Sequence, residues 1–471
     1  MTDGSPTTSV MARYPTSVRA VIHGSVLLLV LAACSIGPGK PDLTRLYESA
    51  QGQTEQPPLI LIPGVLGSRL ERGDGREVWP GGIGSLLLSR YQNLAMPIDE
   101  DTLEAAPGGL KPGGLFDKAA GRQYYSRIID VLEGPGGYRR GTPGVTPDDS
   151  APRYYVMTYD WRQGAVQSAR ELDRLIRAIR TDHASPDLRV DIIGHSMGGL
   201  IARYYSRYGT KDVLNDNQFD AEDPGASRLR RLVLVGTPNL GSIGAIRSLI
   251  NGENLGLRRS PPEVLMTMPA IYQLFPHALD NWLYTVAGEP LERDQFDAEI
   301  WRRFRLGPWD PAVKKRLVGR YGAPEAEVRI AALREFFDKQ LERARRFTWS
   351  LSLETAAESA QSLVFGGDCS LTPAKIVVEE VKGESVLRLW PENIRHPVAE
   401  IDYSRLMLEP GDGTVTKASL LGRQELDPTA PRHRYLHFAP RNVFFFCERH
   451  EVLTGNITFQ DNLLHALLRV D

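Results

Sequence analysis

Ser196 lies in "VDIIGHSMGGLIARYY", residues 190–205, with Gly194 and Gly198 two positions to either side. The apolar run Val190–Ile193 reads as a buried strand, and the stretch from Gly199 reads as a helix. The serine therefore falls at their junction. G-x-S-x-G in that context is a nucleophile elbow, a tight turn that lifts the hydroxyl above a sheet. The free amides at the start of the following helix favour negative charge developing there. The pentapeptide by itself is a weak signal in a chain with 44 glycines. The strand before it and the helix after it separate it from an ordinary strand–Gly–helix junction.

A serine hydroxyl is a poor nucleophile near neutral pH and needs a base, which in turn needs an orienting acid. On an elbow of this kind the chain order is serine, acid, histidine. A late acid leaves His433, His437, His450 and His465 as candidate bases. His465 falls in the last amphipathic helical pattern, and His433 and His437 in "RHRYLHF" precede the final apolar strand. His450 follows "VFFFC" by a short turn, at the carboxyl end of a strand, where a parallel sheet presents its chemistry. It is the favoured base, against the alternative of a buried structural histidine. Asp412 in the tight turn "GDGTV" is favoured as the acid over Asp402 and Asp427, against the alternative of a plain Asp-Gly turn. An oxyanion hole needs two backbone N–H groups. Met197 follows the nucleophile and supplies one. Val65 in "PGVLGS", where Gly64 and Gly67 let amides face a ligand, is the choice for the other.

These residues must be positioned by strands and helices. Short apolar runs at Leu59–Ile62, Tyr154–Met157, Val190–Ile193, Leu232–Val235, Ser362–Phe365 and Val443–Phe446 read as buried parallel strands. Helical patterns at Ala165–Ile179, Gly199–Arg207 and Phe459–Arg469 alternate with them. The fold class is therefore α/β with a mostly parallel central sheet. The alternation stops between Gly241 and Gln361, where long helical patterns such as Glu327–Phe347 take over. The division that follows is a core of residues 57–242 and 361–471, with 243–360 inserted as a helical cap or lid. A second insertion at Lys375–Trp390 reads as a hairpin around "KGES".

The chain has 471 residues with 56 basic and 58 acidic side chains, a balance that argues against nucleic-acid binding. No metal site is expected, because "HEVLT" lacks the second histidine of H-E-x-x-H and there is no C-x-x-C. No cofactor is expected either, since no dinucleotide or P-loop fingerprint is convincing. Near the start, Arg13 and Arg19 precede the apolar run "SVLLLVLAAC", which ends at Cys34 and is too short to span a bilayer. This reads as an export signal over residues 1–33. The "LAAC" ending resembles a bacterial lipobox, which implies lipidation of Cys34, a flexible tether over 34–56 and an exported, membrane-anchored protein. Ser35 rather than Asp after the cysteine favours an outer over an inner membrane by the same resemblance.

Six ordered stretches, "LILIPGVLGSRLE", "TYDWR", "GHSMGGL", "GTPNLGS", "GDGTV" and "CERHEVLTGN", resemble the lecithin:cholesterol acyltransferase-like family of lipases and acyltransferases. "PGVLGSRLE" and "YDWR" are the most specific of them. The resemblance implies an α/β-hydrolase fold with nucleophile Ser196, acid Asp412, base His450, and oxyanion amides at Val65 and Met197. It also implies a mobile lid near Ile243–Met268. "YDWR" has two readings, a segment lining the site or a structural Asp160–Arg162 anchor with Trp161 as packing. The paired cysteines of the animal enzymes are not kept. Cys369 and Cys447 instead end strands that should be neighbours, which puts them within bridging reach.

The implied substrate is a lipid or other hydrophobic acyl ester, with hydrolysis as the first expectation and transfer to an alcohol acceptor as the alternative. An inactive lipid-binding lipoprotein is the rival from another class. No obligate protein partner is evident. "WRRFRLGPWDPAVKKRL" at Trp301–Leu317 has two readings, a contact with an anionic lipid surface or a solvated face whose aromatics enter the cap core.

Overall fold

The computed structural model describes residues 40–51, 56–119, 122–220, 225–354 and 361–469. The export signal, Cys34 and residues 35–39 and 52–55 of the tether lie outside the described residues, and within the rest of the tether Leu43–Tyr47 forms a short helix with Leu43 buried.

A seven-stranded sheet organises the chain. Its strands are β1 (Leu59–Ile62), β2 (Arg139–Arg140), β3 (Arg153–Val156), β4 (Val190–His195), β5 (Leu229–Val235), β6 (Gln361–Gly367) and β7 (Asn442–Phe446). Their spatial order is β7-β6-β5-β4-β1-β3-β2, and every pairing is parallel. Side chains alternate faces along a strand, so a strand covered on both sides reads as a continuous apolar run. Ile60 and Ile62 of β1 join one core while Leu59 and Leu61 join the other, and Leu234 and Val235 of β5 divide in the same way.

Helices α1 (Ser126–Glu133), α2 (Ala165–Asp182), α3 (Met197–Tyr208), α4 (Ile243–Asn251), α5 (Pro311–Tyr321), α6 (Ala323–Ser352) and α7 (Ile457–Leu468) cover the sheet and build the insertions. Leu172, Ile176 and Ile179 of α2 and Leu200 and Ile201 of α3 pack on one face. Ile128 and Leu132 of α1 and Leu463, Leu464 and Leu467 of α7 pack on the other. The α/β-hydrolase fold implied by the sequence motifs is the fold of this chain.

The long helical pattern expected at Glu327–Phe347 is α6, whose Phe336, Phe337 and Phe347 are buried. The aromatics of the 301–317 stretch belong to this inner face. Trp301 is buried, and both Trp301 and Trp309 meet Phe337 edge-on. Of the two readings of that stretch, the core reading holds for these tryptophans.

The hairpin at 375–390 is also present, as strands Ile376–Val381 and Glu384–Arg388. It does not stand apart from the first insertion. Ile376–Val378 pairs in parallel with Leu283–Thr285, which forms its own hairpin with Pro290–Leu291. Both insertions thus share one four-stranded sheet over the core.

Candidate active site

The register of the sheet brings distant segments to one rim. Ile62 lies opposite Gly194, Val235 opposite His195 and Phe365, and Gly367 opposite Phe446. The loops leaving the carboxyl ends of β1, β4, β6 and β7 therefore open on the same side, where parallel sheets of this kind hold their ligands.

Ser196 occupies the corner between β4 and α3 with φ 54° and ψ −123°. A non-glycine residue persists there only when its surroundings over-determine it. Its own N–H donates to Val235 O at 2.8 Å. The neighbouring glycines leave room for backbone. A Cβ on Gly194 would come within 2.6 Å of Gly199, one on Gly198 would overlap the carbonyl oxygen of Ile62, and one on Gly64 would lie 2.8 Å from Ser196 Cβ. Side chains at these positions would push α3 and the β1 loop away from the serine.

His450 Nε2 is 3.0 Å from Ser196 Oγ, and His450 Nδ1 is 2.8 Å from Asp412 Oδ2. Asp412 is buried and accepts N–H bonds at Oδ1 from Thr414 (2.9 Å) and Val415 (2.7 Å). Burial works against its charge. The His450 ring and these two amides outweigh that and hold its carboxyl below the usual range. Burial likewise disfavours protonated His450, but the Asp412 carboxylate prevails and raises the imidazole above its ordinary 6.5. The His450 N–H also donates to the Asp412 main-chain oxygen at 3.0 Å, which ties the two loops together.

Met197 is the first residue of α3, where helical amides have no partner within the helix. Val65 lies half-buried in the loop after β1, one residue past the Gly64 that packs on Ser196. That loop is held from several directions. Tyr159 Oη donates to Pro63 O (2.8 Å), Trp79 Nε1 to Leu66 O (2.9 Å), Trp161 Nε1 to Ser68 O (3.0 Å) and Phe116 N to Gly67 O (2.8 Å). The "YDWR" stretch is thus an anchor for this loop. Within it, buried Arg162 pairs with Asp160 at 2.6 Å and donates to Leu94 O and Pro107 O.

The other candidates lie elsewhere. His465 is exposed on α7, and His437 bonds Arg434 O through Nε2. Asp402 caps the helix Tyr403–Met407, and Asp427 caps an exposed turn through Thr429. Cys369 and Cys447 are joined by a disulfide with Cα atoms 5.0 Å apart, bracing the loops that follow β6 and β7. Two groups beside the serine carry no signal strong enough to be singled out from sequence. They are His195, set aside there as a base on chain order, and Tyr125, which precedes α1. Among the described residues, no group of three His, Cys, Asp or Glu side chains is placed to hold a metal ion.

Comparison with known proteins bears on the whole. The family described as lecithin:cholesterol acyltransferase matches residues 102–305, a span that includes Ser196 but neither Asp412 nor His450. No curated protein matches the chain. Among solved structures it is similar to one titled as the Tle4–Tli4 complex, at 15% identity and TM-score 0.54, covering 88% of this chain and 98% of that one. It is also similar to the Bacillus licheniformis lipase BlEst2, at 12% identity and TM-score 0.33, with 89% and 94% covered. The Staphylococcus hyicus lipase gives 12% identity and TM-score 0.34, with 91% and 96% covered. At 15% identity the first of these speaks to the fold alone. By its parallel sheet and by this family match, the chain is an α/β-hydrolase-fold protein that carries the lecithin:cholesterol acyltransferase family pattern over residues 102–305.

Proposed function

We propose that this protein is a serine hydrolase of lipid esters that works through an acyl-enzyme on Ser196. The observation that carries the reading is the unbroken line from Asp412 Oδ2 through the His450 ring to Ser196 Oγ, with both links at hydrogen-bond distance. In the first half-reaction Oγ attacks the ester carbonyl and its proton passes to His450 Nε2. The Val65 and Met197 amides stabilise the oxyanion. Collapse of the tetrahedral intermediate breaks the ester C–O bond, and His450 returns the proton to the departing alcohol. In the second half, His450 takes a proton from water, the hydroxide adds to the acyl carbon, and Oγ leaves with the proton. Asp412 holds the Nδ1–H tautomer and stabilises the imidazolium throughout.

A surface feature supports a lipid rather than a water-soluble ester. The short helix Ile83–Leu88 buries none of its residues, and Ile83 and Leu88 are 78% and 72% exposed. Leu257, 77% exposed at the tip of the 253–260 hairpin, donates its N–H to Leu86 O at 2.9 Å. The two elements therefore present one apolar patch, flanked by exposed Arg90, Arg258 and Arg259. That composition suits the surface of a membrane containing anionic lipid. We infer further that the protein is exported and tethered through Cys34, which would keep this patch near a bilayer.

The family match favours a second outcome for the same acyl-enzyme, in which an alcohol replaces water. A panel of lipid esters with and without an added alcohol, run on wild type and Ser196→Ala, tests both. Free acid released by wild type alone supports hydrolysis, and a new ester supports transfer. A Ser196→Ala variant as active as wild type, or wild-type protein that fluorophosphonate does not label at Ser196, overturns the reading.

A further inference from the structure

One buried hydrogen-bond chain runs behind the reacting groups and uses none of their reactive atoms. Gly64 N–H donates to Tyr125 Oη at 2.9 Å. Tyr125 Oη is 2.8 Å from His195 Nδ1, and His195 Nε2 is 3.1 Å from the main-chain oxygen of His450. All three side chains, Tyr125, His195 and His450, are buried.

The chemistry of the ends settles every proton in between. The His450 carbonyl can only accept, so His195 Nε2 carries hydrogen. A neutral imidazole then has a bare Nδ1, which accepts from the Tyr125 hydroxyl. That hydroxyl has a lone pair left for the Gly64 amide. Donors and acceptors match with nothing left over. Burial, aided by nearby His450, lowers His195 to about 3, and burial raises Tyr125 above its ordinary range. Both groups keep the same protonation across the working pH of an enzyme, so the chain holds a single pattern.

Its ends lie on the two loops that flank Ser196. Gly64 packs on Ser196 and precedes Val65, whose amide the proposed function assigns to the oxyanion hole. The His450 main chain carries the base. His195 is the residue immediately before the nucleophile, and Tyr125 stands at the start of α1. Misplacing a reacting group by about 1 Å can cost about 100-fold in rate.

We propose that Tyr125 and His195 are positioning residues, a neutral strut that sets the amide loop at Gly64–Val65 and the main chain of His450 in fixed register across Ser196. The inference rests on Ser196 and His450 being the reacting pair. Neither strut residue touches substrate.

The test measures kcat and KM on a short-chain soluble ester, with thermal midpoints, for Tyr125→Phe, His195→Gln, the double variant and Ser196→Ala. Each single variant is expected to lose at least tenfold in kcat with KM within twofold. The double variant should be no worse than the poorer single, because a strut cut twice is no more cut. Wild-type kcat in either single variant, or losses that multiply in the double, overturns the proposal. Should a variant fail to fold, wild-type protein labelled with nitrogen-15 histidine decides the matter. His195 is expected as the neutral Nε2–H tautomer from pH 5 to 9, and an Nδ1–H tautomer or a titration in that window overturns the strut. Full activity in Ser196→Ala sinks the functional reading instead, so the two failures are distinguishable.

Discussion

His450 Nε2 stands 3.0 Å from Ser196 Oγ although 254 residues of chain separate them. Nothing local holds that distance. It depends on β4 and β7 ending at the same rim, on Asp412 gripping the other ring nitrogen, and on the loop after β7 turning back toward the serine.

Removing the proposed nucleophile is the direct test of that relationship. Ser196→Ala should lower kcat by about 10⁴-fold or more while the protein stays folded, and Asp412→Asn should cost about 10⁴-fold by releasing the His450 tautomer. Steady-state hydrolysis of a soluble ester reads both. A loss under tenfold in Asp412→Asn would show that the carboxylate does not orient the base.

The pH profile follows from the signs of the two shifts. His450 is raised above 6.5, and it must be neutral to accept the Ser196 proton. The acid limb of kcat/KM should therefore have its midpoint above 6.5, with activity falling as pH drops through it. Asp412 is lowered and stays ionised throughout that range. In Asp412→Asn the carboxylate that raises the imidazole is gone and burial remains, so any residual activity should show an acid limb displaced to lower pH. A limb that stays in place would assign the titration to another group.

Gly198 tests how closely α3 must approach β1. A Cβ there would overlap the carbonyl oxygen of Ile62 and lie 2.8 Å from that of Pro63, and neither is a flexible side-chain end. Gly198→Ala should destabilise by about 1–3 kcal/mol through overpacking. It should also reduce kcat about 100-fold by displacing the Met197 amide. A melting curve and initial rates at one temperature check both, and a variant with wild-type rates would place the helix too far from β1 to matter.

The apolar patch separates two kinds of substrate. Leu88→Asp with Leu257→Asp should reduce hydrolysis of esters in vesicles at least tenfold, since each leucine buried in lipid contributes about 1.5–3 kcal/mol. The rate on a short soluble ester should be unchanged. With Arg90, Arg258 and Arg259 at its edge, binding to anionic vesicles should weaken as salt rises. Equal losses on both substrates would point to a folding defect rather than a docking surface.

The disulfide predicts a thiol count. Cys369 and Cys447 are 78 residues apart in sequence, and closing a loop of that size stabilises by about 4.5 kcal/mol in the chain-entropy account. Unreduced, denatured protein should show neither thiol free, and reduction should lower the melting temperature. Detection of both thiols in unreduced material would remove the bridge and its bracing of the His450 loop.

Local chemistry made much of this legible from residue order. "LILI" coincides with β1, and Val190–Ile193 lies within β4, because strands covered on both faces need unbroken apolar runs. The corner at Ser196 is written in its glycines, since only their missing side chains let Gly198 meet Ile62 and Gly194 meet Gly199. Periodicity and turn chemistry act over about ten residues, and within that reach the order of amino acids was enough. Tertiary packing decided what lies beyond it. The hairpin at 376–388 was recognisable, but its pairing with Leu283–Thr285 depends on two insertions meeting over the core. "YDWR" admitted two readings until Trp161 and Tyr159 were seen to hold the loop after β1. Tyr125 and His195, 70 residues apart, carry no shared pattern. Their hydrogen bond exists because the start of α1 meets the end of β4, and that meeting is a property of the whole folded chain.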